Sequence, residues 1–171
     1  YFQTPTRYTH AEFSNELEED FNTVWPIDNI PDSQGGRARL REDNTLNHMT
    51  AACGHGVYRG GLMPEFYGNY LICEPVGRLV RMAKVDKSKG YRQLRNPYPK
   101  SEFIRSTDAN FRPVNLKTGP DGALYIVDMY RGIIQEGNWT SKRSYLRGVI
   151  DEYGLAKNKG MGRIYRLVPK G

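Results

Sequence analysis

The chain has 171 residues, enough for one domain with its own core and leaving little room for a second. With 38% hydrophobic and 26% charged residues it is no disordered polymer, and no apolar run approaches the roughly 18 residues of a membrane span. The net charge is +6, from 25 Lys and Arg against 19 Asp and Glu, yet the basic residues are scattered singly, which argues against nucleic-acid binding. The 18 Gly, 10 Pro and 12 Tyr suit short strands joined by tight turns, since Gly and Pro punctuate turns and aromatic rings fill pleated surfaces.

In chain order, Tyr1-Phe2-Gln3-Thr4-Pro5 opens without an initiator Met, as in a processed or excised polypeptide. Residues 1–49 are the least regular part. Ala11–Phe21 has a helix-compatible composition, Pro26–Gly36 is a Pro/Asp/Gly-rich loop, and the whole of 1–49 is expected to form irregular excursions over a scaffold. Short strands begin after Thr50, with Tyr70–Cys73 and Leu79–Val85 joined by a turn at Glu74-Pro75-Val76-Gly77. Cys53 and Cys73 stand 20 apart and fit either a disulfide in an exported protein or two buried thiols. With no C-x-x-C-H, this segment cannot attach a c-type haem, and Cys53-Gly54-His55 falls short of the four ligands of a structural zinc site.

Arg112–Leu116 leads into a Gly119-Pro120-Asp121-Gly122 turn and then the apolar run Ala123–Val127, which reads as a strand covered on both faces. Ser144–Gly154, inside an insert spanning 130–161, predicts a short amphipathic helix stopped by Gly154. An internal repeat links the two halves. Gly68–Glu74 matches Gly122–Asp128 as Gly, short apolar strand and acid, and Gly77–Met82 matches Gly162–Leu167 at Gly, Arg, one aliphatic position and a second Arg. Repeated four-stranded units of this kind are the signature of a β-propeller, and a closed ring takes about four to eight of them. The expectation is therefore all-β, namely the C-terminal blades of a β-propeller with loop and short helical insertions. Residues 50–129 and 162–170 supply blade strands, 130–161 the insertion, and the remaining blades come from elsewhere.

The segments Thr50–Gly54, Tyr58-Arg59-Gly60, Cys73–Leu79, Ser106-Thr107-Asp108, Phe111–Asn115, Gly119–Gln135 and Gly162–Arg166 together closely resemble the bacterial membrane-bound dehydrogenase propeller domain. That domain is often fused to cytochrome c and is similar to the soluble quinoprotein glucose and sorbosone dehydrogenases. The resemblance covers about residues 1 to 170. It implies an exported, periplasmic or cell-surface oxidoreductase that takes a sugar or alcohol and passes electrons to a haem domain elsewhere. It also implies pyrroloquinoline quinone (PQQ) and Ca²⁺ as cofactors, with the catalytic base on other blades. Arg112 falls at the second position of the relatives' Arg-aromatic-Arg motif, Asn110 stands at the first, and the Lys they carry before the strand-joining Gly has no counterpart near Gly77.

The candidate cofactor-binding residues are Arg112, Arg131 and Arg78, with an inter-blade ion pair as the competing role of Arg112. Glu74 and Asp128 sit at equivalent strand ends, where a carboxylate can bind Ca²⁺ or a sugar hydroxyl. One carboxylate per blade falls short of the roughly six to eight oxygens of a Ca²⁺ site, so turn hydrogen bonds compete. His55 is the candidate general base, weighed against a structural histidine. Trp25 and Trp139 either stack on a sugar ring or pack over the scaffold. The alternative to an enzyme is a non-catalytic propeller scaffold or carbohydrate-binding module.

Overall fold

A computed structural model describes residues 23–30, 32, 36–87, 93–134 and 140–170. The helix expected over 11–21 and Trp139 lie outside the described residues. Among the described residues the regular structure is mostly antiparallel β-sheet, with few helical turns. The first sheet contains β1 (Cys53–Val57), β2 (Tyr70–Glu74), β3 (Leu79–Asp86), β4 (Gln93–Arg95) and β5 (Ile104–Arg105). Its order is β1-β2-β3, after which β4 pairs with Lys84–Asp86 and β5 with Leu79–Val80. The second sheet is the meander of β6 (Pro113–Thr118), β7 (Leu124–Asp128) and β8 (Arg163–Leu167).

Alternation sorts the side chains of β2 and β3 into two buried layers. Leu71, Cys73, Val80 and Met82 form one core with Leu116, Leu124 and Ile126 of the second sheet, so the two sheets stack face to face. On the opposite face Leu79 joins Val24, Leu46 and Val76 in a second core, with Met49, Ala51 and Ile134 packed against it. Isolated bridges join Thr23 to His48 and Leu40 to Leu46. From the expected excursion, Val24, Leu46 and Met49 thus cover this second face of the first sheet.

Both first strands carry a β-bulge, between Cys53 and His55 in β1 and between Pro113 and Asn115 in β6. The bulge turns Cys53 toward the inter-sheet core and His55 to the other face, because one extra residue changes the phase of the pleat. The two bulged residues meet. A Cβ on Gly54 would lie 2.1 Å from the Val114 carbonyl oxygen, so only glycine admits this approach. Tyr58 ties the sheets again, donating to the Gly122 carbonyl at 2.5 Å and accepting from the Met63 amide at 3.2 Å.

The predicted helix forms as α1 (Tyr145–Glu152). Ser144 caps it by accepting from the Arg147 amide at 3.1 Å. Leu146, Val149 and Ile150 face Leu155, and Gly154 leaves the helix at φ +62°.

Two expectations need correction. The Ala123–Val127 run is covered on one face only, with Val127 38% exposed on the side turned away from the first sheet. The repeat also slips. Glu74 pairs with Leu79, whereas Asp128 pairs with Arg163, so the sequence match of Leu79 to Ile164 is one residue out of structural phase. A one-residue shift reverses the face of every side chain. Ile164 therefore corresponds in structure to Val80 and not to Leu79, and it is 65% exposed where Val80 is 0% exposed. The described residues hold two stacked sheets and close no ring among themselves.

Candidate functional site

The turn at 75–78, the start of β6 and the end of β7 bring most of the candidate residues to one end of the stack. Asp28 and Asp32, the only charged residues of the sequence between Pro26 and Gly36, reach this end. Asp28 first makes a local turn, accepting from the Ile30 amide at 3.1 Å, and both carboxylates then reach Arg78. Arg78 sits at φ +53°, a region few non-glycine residues occupy. Its guanidinium donates to Asp28, to both oxygens of Asp32 at 3.2 and 2.9 Å, to the Ala109 carbonyl at 3.1 Å and to the Val76 carbonyl at 3.2 Å.

Arg112 completes the cluster from the second sheet. Its guanidinium donates to Asp32, to the Pro75 carbonyl at 2.9 Å, to the Arg131 carbonyl at 3.1 Å and to the Gly132 carbonyl at 2.7 Å. Asp32 thus bridges two guanidiniums, one from each sheet. Burial pushes the Asp28 carboxyl above its ordinary value against the pull of Arg78, and burial draws Arg112 down against the pull of Asp32. Two cations against two anions leave the cluster neutral, the condition under which buried charges are tolerated.

The carboxylates at the strand ends hold backbone. Asp128 accepts from the amides of Arg112 and Tyr130, each at 2.7 Å, which turns the chain out of β7. Its neighbour Tyr165 has its phenol pushed up by burial and by this carboxylate. Glu74 is fully buried and accepts from the amides of Thr50 at 3.2 Å, Ala51 at 3.0 Å and Val76 at 3.2 Å. Burial outweighs these bonds and raises its pKa to about 7.

The other candidates are dispersed. Arg131 is half-buried and lends the site its carbonyl. His55 is exposed midway along β1, its ring 5.5 Å from that of Tyr70. Trp25 is covered by the Arg41 guanidinium at 4.2 Å and offers no bare platform. Asn110 closes a turn by donating its amide to Asp108 at 2.9 Å.

Sequence reasoning missed Asp28, Asp32 and Glu102. Glu102 forms a two-pronged pair with Arg81, with Nε 2.9 Å from Oε2, both side chains being fully buried. The available signal was two aspartates in a loop with no basic residue to pair with locally. It also missed Tyr130, at φ +46°, whose ring lies 3.3 Å from the Arg163 guanidinium carbon. Beside it, burial raises the Asp108 carboxyl, and hydrogen bonds from Asn110 and Tyr130 more than offset this, leaving it below its ordinary value.

This arrangement does not fit the cofactors that the resemblance implies. Arg78 and Arg112 are each 1% exposed with carboxylates already in place, so neither presents a cation to a tricarboxylate quinone. No three of His, Cys, Asp or Glu come together as a metal site among the described residues. The chemistry performed here is cohesion, a charged seam that fastens loop, turn and both sheets.

The profile of DUF7133, described as a domain of unknown function, matches residues 2–171. The chain belongs to the DUF7133 family. No curated protein and no solved structure matches it. Among the described residues of this DUF7133 chain, no helix is long and apolar enough to cross a membrane.

Glu74 gives this DUF7133 chain a defined pH response. A carboxyl whose folded-state pKa lies above its unfolded value binds more protons when folded, so its contribution to stability is present at low pH and lost as pH rises. The window runs from the ordinary value of 4.5 to about 7. In melting curves taken across this window, the stability difference between wild type and Glu74→Gln should change with pH and then flatten above it. A difference independent of pH would show that Glu74 ionises normally.

Proposed function

We propose that this chain forms two consecutive wedges of a larger β-propeller belonging to an exported, periplasmic or cell-surface oxidoreductase. The parent would resemble the quinoprotein sugar and alcohol dehydrogenases and deliver electrons to a haem domain outside this chain. Within it, the present residues build the scaffold, and the cofactor is held by residues of other wedges. One observation carries the reading. The face of the first sheet bearing Leu71, Cys73, Val80 and Met82 is covered by the second sheet, while the matching outward face of the second sheet leaves Val127 and Ile164 open. Stacked wedges bury both faces of each sheet, so this face awaits another layer.

The test uses the full-length protein with PQQ and Ca²⁺, a panel of aldoses and alcohols, and a dye acceptor. Dye reduction together with a thermal shift on adding quinone and Ca²⁺ is the expected result. If neither occurs while hydrogen exchange finds β8 strongly protected in the full-length protein, the propeller is a non-catalytic scaffold. Exchange-labile β8 amides in the full-length protein would overturn the wedge itself.

A further inference from the structure

Cys53 and Cys73 are direct partners in the register of β1 and β2. Opposed residues on an antiparallel pair have Cα atoms about 4.5–5.5 Å apart, within the range a disulfide spans. Register alone does not make two side chains meet, and the bulge after Cys53 supplies the rest. It places Cys53 on the same side of the sheet as Cys73, so that both pack against the inter-sheet core. The Cys53 sulfur lies 3.8 Å from the Cys73 carbonyl oxygen, over the neighbouring strand. Both thiols are free in this structure.

We infer that Cys53 and Cys73 are the two halves of a cross-strand disulfide that closes when the chain folds in an oxidising compartment. The reaction is thiol–disulfide exchange with a small-molecule or protein disulfide. One thiolate attacks the donor's disulfide and expels a thiolate, and the second cysteine then attacks the mixed disulfide and expels the other. Two protons and two electrons leave the cysteine pair, the donor's disulfide becomes two thiols, and one S–S bond forms between β1 and β2.

The folded environment sets when this happens. Burial first, then each sulfur's neighbours, pushes the Cys73 thiol up to about 12, and burial and the Glu74 carboxylate raise Cys53. Thiols held protonated in a core are poor nucleophiles. Cys73 is buried and Cys53 half-buried in the finished sheet, so a disulfide donor reaches the pair most readily while the strands assemble.

The decisive experiment refolds the full-length protein from denaturant and dithiothreitol into buffer containing oxidised and reduced glutathione. Remaining thiols are then alkylated and the protein is digested with trypsin without reduction. Cleavage at Arg41, Arg59 and Arg78 separates the two cysteines into peptides 42–59 and 60–78. A single species containing both peptides joined through sulfur is expected, with a melting temperature about 5–10 °C above that of the protein refolded in dithiothreitol. Natively folded protein from the oxidising buffer that yields both peptides alkylated, or either one carrying glutathione, would overturn the inference. The comparison needs no substitution at either cysteine, so a variant that fails to fold cannot obscure it.

Discussion

Replacing Asp32 with asparagine should lower the stability of the folded chain by about 3–5 kcal/mol, the usual cost of removing one partner from a buried ionic pair. The geometry explains why this aspartate outranks other surface-loop residues. One carboxylate of low exposure faces Arg78 from the first sheet and Arg112 from the second, and both guanidiniums are 1% exposed. Without its charge, two buried cations share Asp28 alone. Asp28→Asn should cost less, because its direct ion pair is with Arg78 only. Urea unfolding followed by circular dichroism measures both. A loss below about 1 kcal/mol for Asp32→Asn would mean that the carboxylate is solvated and the bridge is not made. Adding Arg112→Met to Asp32→Asn should restore part of the loss, since that pair of changes removes a stranded charge instead of creating one.

Gly54→Val is the second large effect, with an expected destabilisation of at least about 3 kcal/mol. The substituted carbon would fall within 2.1 Å of the Val114 carbonyl oxygen and 2.5 Å of the Asn115 Cα, and both obstacles are backbone. No side-chain rotation relieves such an overlap, so the sheets must separate and the Leu71, Cys73 and Leu116 core must open with them. Gly61→Ala is the control, because a Cβ there meets nothing within 4 Å. It should change stability by less than about 0.5 kcal/mol. Equal effects at the two positions in thermal melts would argue against close stacking of β1 on β6.

The strands were legible because β2, β3 and β7 are short apolar runs bounded by Pro, Gly and Asp, and the signals are local. Ser144 and Gly154 marked α1 for the same reason. The phase of β8 was not legible. A Gly-Arg match with Gly77–Met82 fixes the kind of strand, whereas its register depends on the partner strand and on where the 130–161 insert returns the chain. The site was half visible. Arg78, Arg112, Glu74 and Asp128 do gather at one end, but what they bind there depends on a loop far away in sequence. The lack of a basic residue near Asp28 and Asp32 points to remote partners without saying which, and these lie 46 to 80 positions ahead. Buried arginine and arginine awaiting a ligand look alike until the opposing carboxylate is located.

The reach of that bridge also orders events during synthesis. Asp32 precedes Arg112 by 80 positions, and the carbonyls of Arg131 and Gly132 that complete the arginine's shell are made later still. As the polypeptide emerges from the ribosome, the hairpin of β2 and β3 has its strands in hand early, while the electrostatic latch stays unsatisfied until the end of β7 has cleared the exit tunnel. Nascent chains halted before residue 112 would also lack Leu116, Leu124 and Ile126, leaving the apolar face of Leu71, Cys73, Val80 and Met82 uncovered. That interval is when a holdase would find this protein most receptive.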